Sequence, residues 1–318
     1  VSARSARAAI LVTGADLAPE AQALLADFEL VYAGPAPTED DLIALCRKHQ
    51  PIAIVVRYGR ITARVIDACR NLRVISKHGS GIDTIDVQAA GARGIAVRAA
   101  AGANAAAVAE HAWALILACA KSLPELNARM HEGHWDKATH KSLELHGRTL
   151  GLIGMGAIGS RVAAIGIAMG MRVIAHDPYA RDAPPNVALC ALKDVLRDAD
   201  ILSLHCPLTA ENRNLIDREA LALMRRGAIL VNTARGGLID EAALMEALGS
   251  GRLRAAGLDS FATEPPAPGL PLRRMPGVIM TPHVGGVTGD AYRNMGLAAA
   301  KNILSVLDEL EEKSKCDT

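Results

Sequence analysis

One stretch constrains the fold of this 318-residue chain more than any other. Leu150-Gly151-Leu152-Ile153 reads as a buried strand, and Gly154-Met155-Gly156-Ala157-Ile158-Gly159 turns it directly into an apolar helix. Such a turn belongs to a parallel sheet with crossover helices. There Gly154 permits a tight turn, Gly156 lets the backbone approach a pyrophosphate, and Gly159 lets the helix pack closely on the sheet. Ala157 and Ile158 open the helix, whose free N–H groups and partial positive charge favour a phosphate. The following strand, 172–176, ends at Asp177, where a carboxylate would accept hydrogen bonds from a ribose 2′-OH and repel a 2′-phosphate. A glycine turn alone is weak evidence and often marks a plain turn. The succession of strand, turn, helix, strand and acid predicts a dinucleotide site with NAD preferred over NADP.

The rest of the chain fits an α/β protein of two domains. Before residue 100, Ile10-Leu11-Val12, Ile52-Ala53-Ile54-Val55-Val56 and Arg73-Val74-Ile75 read as buried parallel strands. Helical patterns at 19–27, 38–49 and 63–69 separate them. That alternation predicts one doubly wound sheet. No glycine-rich turn follows its first strand, so this half is expected to hold something other than a nucleotide. Asn104 opens an Ala-rich helix to residue 120, and a polar stretch follows over 126–146. Strands at 150–154, 172–176, 201–206, 229–233, 255–258 and 278–281 then build a second sheet of dinucleotide-binding type. A last helix is expected over 290–312.

Composition excludes several classes. Thirty-five basic and 34 acidic side chains leave a formal net charge of +1, which offers no field for nucleic acid or anionic membrane. Aromatic residues are only 3%, too few for base-stacking platforms. Cys46, Cys69, Cys119, Cys190, Cys206 and Cys316 lie scattered, mostly in apolar segments without a Cys-x-x-Cys pair, as reduced cysteines usually do. Near the start, Arg4 and Arg7 precede an apolar run that Asp16 ends too early for a signal-peptide core, and the apolar run at 112–120 is too short to span a bilayer. A soluble cytoplasmic protein is the expectation. His131, His134, His140 and His146 lack the i, i+4 helical spacing of a metal pair, and Gly133 interrupts them, so no metal is expected. The charged tail over 309–315 is expected to be solvated.

Three later segments fall at strand ends, where such sheets bind ligands. They are Asn232-Thr233-Ala234-Arg235-Gly236-Gly237, Asp259-Ser260-Phe261-Ala262-Thr263-Glu264-Pro265 and Thr281-Pro282-His283-Val284-Gly285-Gly286. For a 2-keto or 2-hydroxy acid, the substrate class implied by the family resemblance described next, these residue types are suited. The planar fork of arginine can hold the carboxylate and polarise the neighbouring carbonyl. Histidine titrates near neutral pH and can exchange a proton with the substrate oxygen. A carboxylate bonded to its other ring nitrogen fixes the tautomer and favours the imidazolium. Taken alone, each is more often a surface or structural residue.

Together with the glycine turn, these segments closely resemble the D-isomer-specific 2-hydroxyacid dehydrogenases, over nearly the whole chain. The resemblance assigns Arg235, Glu264 and His283 as the catalytic set. It adds Asn104, Cys206, Pro207, Thr233, Ala234, Gly285 and Gly286 to the cofactor site and places Asp259 at the nicotinamide carboxamide. It identifies Gly79-Ser80-Gly81-Ile82-Asp83 as the substrate loop, a backbone nest for an anion. Arg57 then stands where the family reaches the distal part of phosphoglycerate, with Lys77 and His78 beside the loop and Arg60 near it. A small polar D-acid of the glyoxylate, hydroxypyruvate, glycerate or phosphoglycerate type is the implied substrate. The resemblance further implies a Rossmann cofactor domain over 101–286 and a discontinuous flavodoxin-like substrate domain, 1–100 with 287–318, facing it across a cleft. A homodimer built through the 126–146 region is implied as well, with no regulatory domain after the last helix. Ala107, Ser260 and Ala262 depart from commoner family residues and leave the subfamily open. Two alternatives share this scaffold: an NAD(H)-sensing corepressor-like binding protein, and phosphite or formate oxidation, although formate enzymes carry Gln where this chain has Glu264.

Overall fold

The structure is a computed structural model that describes residues 7–316, with side chains through residue 312. Arg4 and the Cys316 side chain lie outside the described parts. The chain divides into two compact units, one running to Asn104 and resuming at Thr288, the other covering Ala105–Val287.

In the first unit the strands are β1 (Ala9–Val12), β2 (Glu29–Tyr32), β3 (Ala53–Val56), β4 (Val74–Lys77) and β5 (Ala96–Ala99). They form a parallel five-stranded sheet of order β2-β1-β3-β4-β5, the flavodoxin arrangement. Every residue of β1 and β3 is buried, because both faces of the sheet are covered. Leu11, Ile54, Val56 and Ile75 fill one face with α2 (Glu39–His49) and α3 (Ala63–Asp67). Ile10, Val12, Val55 and Val74 fill the other with α1 (Pro19–Leu24) and the final helix, Gly289–Cys316, which returns here from the far end of the chain. The start of α2 is written locally. Thr38 and Asp41 form a capping box, acidic residues occupy the first turn and Arg47, Lys48 and His49 the last.

In the second unit, β6 (Thr149–Ile153), β7 (Arg172–His176), β8 (Val187–Leu189), β9 (Ile201–Leu204), β10 (Ala228–Asn232), β11 (Leu253–Leu258) and β12 (Val278–Met280) form a seven-stranded parallel sheet. Its order, β12-β11-β10-β9-β6-β7-β8, is the dinucleotide-binding one extended by a strand. One face packs on α5 (Ala105–Lys121) and α7 (Ala157–Ala168); the other packs on α8 (Leu192–Asp198), α9 (Arg218–Leu223) and α10 (Glu241–Gly249). Among the described residues no single helix is long and apolar enough to cross a membrane.

Three strands and two helices escape the sequence pattern. β2, β5 and β8 are edge strands, partly exposed: Glu29 opens β2, Arg98 interrupts β5, and β8 is only three residues long. The helix α4 (Val87–Ala92) is short, with one buried residue. The stretch expected to be merely polar overlaps α6 (Leu123–His131), which buries none of its side chains and so has no apolar stripe.

Packing of the final helix on the first sheet rests on Ala299, Ala300, Ile303 and Val306. Ile303 is fully buried. Ile303→Ala should lower the unfolding free energy by about 2–5 kcal/mol, the usual cost of emptying a core site. Urea titration followed by circular dichroism reads it, and a loss below about 1 kcal/mol would mean that the site collapses freely.

Candidate active site

Gly154 stands at the end of β6 with φ +98°, and a Cβ there would lie 2.6 Å from the His205 carbonyl oxygen. Both the backbone angle and the space require glycine. Gly156 is the N-cap of α7, and nothing lies within 4 Å of where its Cβ would be. No side chain caps α7, so its first-turn N–H groups can serve a phosphate. Gly159 has a different reason from the one its motif suggests. Its Cβ would collide with the Gly154 carbonyl oxygen, so it accommodates the turn itself, while Gly166 meets Leu150 where α7 crosses the sheet. Asp177 is placed where the second strand ends, and its carboxylate already has work. Oδ2 accepts from Met155 N–H at 2.8 Å and Oδ1 from Tyr179 N–H at 2.9 Å. Each oxygen keeps a lone pair for a ribose hydroxyl.

Below the turn, His205 rests its Nε2 2.9 Å from Ser203 Oγ, and its shielded Nδ1 has no partner. Burial pushes its pKa down to about 4, so the ring is neutral. Cys206 follows, with its thiol pushed up to about 11 by burial. Pro207 is exposed, and its carbonyl accepts from Asn212 Nδ2.

The Arg235 loop is shaped by Asn232, buried at the end of β10. Its Oδ1 accepts from Ala234 N–H and its Nδ2 donates to the Arg235 carbonyl, both at 2.9 Å. Arg235 donates through Nη1 to the Ala234 carbonyl at 2.8 Å. Gly236 touches the next loop so closely that a Cβ would overlap the Phe261 backbone. Thr233 is buried with Oγ1 unpaired, a polar atom left for a ligand at this strand end.

His283 Nδ1 lies 2.8 Å from Glu264 Oε2, and both side chains are more than a third exposed. A carboxylate only accepts, so Nδ1 carries the proton and Nε2 is the nitrogen left for exchange with a substrate. Glu264 is itself held by Phe261 N–H on Oε1 at 3.0 Å. His283 adopts φ +54°, a costly angle for a residue with a Cβ. The following backbone is tied down by Asp259, whose Oδ1 accepts from Val284 N–H and whose Oδ2 accepts from Gly285 N–H. Thr281 Oγ1 donates to the same Oδ1 at 2.6 Å, and His111 Nε2 stands 2.9 Å from Thr281 Oγ1 and 3.3 Å from Asp259 Oδ1. Asp259 is thus a buried anchor of the His283 loop. His111, on α5, was missed by the sequence reading, since nothing local to it signals a partner 170 residues away.

The remaining predicted residues fall on the first unit. Gly79, Ser80 and Gly81 follow β4; Gly79 has φ +149° and its carbonyl accepts from Ala100 N–H. Ser80 Oγ donates to Asn104 Oδ1 at 3.2 Å. Lys77 Nζ donates to the Arg57 carbonyl at 3.3 Å. His78 does not present its ring as a charged ligand group. It is buried with Nε2 near Gly296 and unpaired, and burial, then Arg57, pushes its pKa down to about 4. Among the described residues no three His, Cys, Asp or Glu side chains are grouped as a metal site.

Comparison with known proteins bears on the family and the fold. The family described as D-isomer specific 2-hydroxyacid dehydrogenase, NAD binding domain, matches residues 113–285. A hydroxypyruvate reductase of Thermotoga maritima is 40% identical over 290 residues, which is 91% of this chain and 95% of that one. A D-3-phosphoglycerate dehydrogenase of Mycobacterium bovis is 41% identical over 90% of this chain, but the chain spans only 54% of its length. A glyoxylate reductase structure from Paecilomyes thermophila superposes with a TM-score of 0.84 at 31% identity, covering 94% of this chain and 95% of that one. The family match, the extended sequence identity and the superposition lead to one assignment: this chain belongs to the D-isomer specific 2-hydroxyacid dehydrogenases, as an NAD-binding member.

Proposed function

We propose that the protein transfers a hydride between NAD and a small polar D-2-hydroxy acid or its 2-keto acid, with Arg235, Glu264 and His283 as its catalytic residues. The observation that carries this reading is the His283–Glu264 pair at 2.8 Å, on a loop pinned by the buried Asp259. The second unit would hold NAD through Gly154, Gly156, the α7 N-terminus, Asp177 and Thr233, and the first would hold the acid through the loop 79–81. When bound, the nicotinamide supplies or takes the hydride. Arg235 holds the substrate carboxylate and draws electron density from the carbonyl. In reduction, protonated His283 gives the Nε2 proton to the carbonyl oxygen as its carbon receives the hydride; in oxidation Nε2 takes the hydroxyl proton. Glu264 steadies the imidazolium formed in that direction. A panel of glyoxylate, hydroxypyruvate and D-glycerate, assayed by nicotinamide absorbance, tests the reaction. His283→Gln should lower kcat by roughly 10²–10⁴. Activity within twofold of the parent would remove His283 from the mechanism.

Cofactor preference would rest on Asp177, which also holds Met155 N–H in the turn. Asp177→Ala should therefore narrow the preference for NAD over NADP and raise KM for NAD more than it lowers kcat. Equal kcat/KM for both cofactors in the unmutated enzyme would overturn the assignment.

A homodimer is the assembly we infer. Leu123 and Met130, on α6, are each 53% exposed and nearby Trp135 is 74% exposed, which is more apolar surface than a monomer usually leaves uncovered along one short segment. A buried tryptophan often dominates an interface. The parent should sediment as a dimer and Trp135→Glu should weaken association at least about tenfold; an unchanged dimer would place the interface elsewhere. Cys46, Cys69 and Cys119 are buried free thiols, which suits the reducing cytoplasm.

A further inference from the structure

The carboxyl ends of β1, β3 and β4 meet along one rim of the first unit, beside the loop 79–81. At that rim Arg57 is not an open cation. Its Nη1 donates to the Asp16 carboxylate and, at 2.6 Å, to the Asp16 carbonyl. The guanidinium carbon lies 4.9 Å from the centroid of the Tyr292 ring and 5.3 Å from that of Tyr58. Thr13 Oγ1 accepts from Arg57 N–H and donates to the Tyr58 carbonyl, so the strand end is rigid where the arginine leaves it. The arginine side chain is 11% exposed, whereas Asp16 is 67% exposed. Within this cluster the Asp16 carboxylate and the Tyr58 ring are therefore the most exposed groups, and Tyr292 is half-buried. The buried His78 beside it adds no positive charge.

We propose that Asp16 is a specificity-determining residue, selecting a neutral hydroxyl-bearing tail on the 2-hydroxy acid and disfavouring a phosphorylated one. This rests on the proposed substrate class and the binding of the acid at the loop 79–81. A phosphate arriving at Arg57 must either displace Asp16 from its partner or lie against its carboxylate, and both penalise a dianion. A hydroxyl meets no such repulsion and can donate to the carboxylate. Asp16 is held below the usual carboxylate range, first by its hydrogen bond to Arg57, so the negative charge persists through neutral pH.

The test compares D-glycerate with 3-phospho-D-glycerate, as kcat/KM with NAD and as affinity by calorimetry, in the parent, Asp16→Asn and Asp16→Ala. Asp27→Asn, which removes an exposed carboxylate just before β2, controls for long-range charge. The parent should favour D-glycerate, and both Asp16 variants should move the ratio toward the phosphorylated acid by about tenfold or more, while Asp27→Asn leaves it unchanged. A parent that prefers 3-phospho-D-glycerate, or a ratio that Asp16 variants do not move, overturns the proposal. If neither acid is oxidised, the proposed reaction fails on these substrates, yet the affinity ratio still decides the role of Asp16. Because Asp16 is exposed, both variants should fold, and an unchanged thermal midpoint confirms it.

Discussion

The second unit's site depends on one buried carboxylate. Asp259 is 1% exposed, and an unpartnered charge there would be prohibitive. It is paid for by two backbone N–H groups, the Thr281 hydroxyl and the nearby His111. Because all of these donors but His111 come from the segment on both sides of His283, solvating the carboxylate and shaping the loop are the same event. The strained φ of His283 persists because its neighbours are held from below. Glu264 then needs only a short loop from Asp259 to meet the imidazole, and the Phe261 N–H that it accepts keeps it there. A network so fully satisfied stiffens the site without a large apolar cost.

The same economy recurs at the glycine turn and at the first unit's rim. Asp177 serves the turn through Met155 N–H and would serve a ribose through its remaining lone pairs. Asn232 folds the backbone that carries Arg235. Asp16 occupies Arg57 and so changes what an arginine at that place can recognise. In each case a short polar side chain at the carboxyl end of a strand, where parallel sheets gather their ligands, decides the behaviour of a neighbour. On the first unit's rim the charge of Arg57 is answered by its carboxylate partner.

Central strands were legible because both faces of each sheet are covered, so β1, β3, β6 and β10 are buried at every residue, and β1 and β3 are unbroken apolar runs. The glycine turn was legible because Gly154 answers a local backbone demand, and Asp177 because it follows at a fixed place in the same βαβ unit. Arg235, Glu264 and His283 could be singled out through their motifs, and the 2.8 Å His283–Glu264 contact appears between residues whose separation is short in sequence. β2, β5, β8 and α6 were harder to read: polar residues break β2 and β5, β8 is only three residues long, and α6 buries no side chain and so carries no apolar stripe.

The sequence by itself therefore determined what local geometry and continuous burial dictate: two wound sheets, the glycine turn and the candidate reactive side chains. Tertiary structure alone decided the pairings that span long separations. It brought His111 to Thr281 and Asp259, laid Gly296 against His78, set Tyr292 over Arg57 and closed Asp16 onto that arginine. Such pairings depend on how strands are ordered across a sheet and which helix returns to cover it. The energy of each is small and non-local, and no residue pattern within a single segment records it.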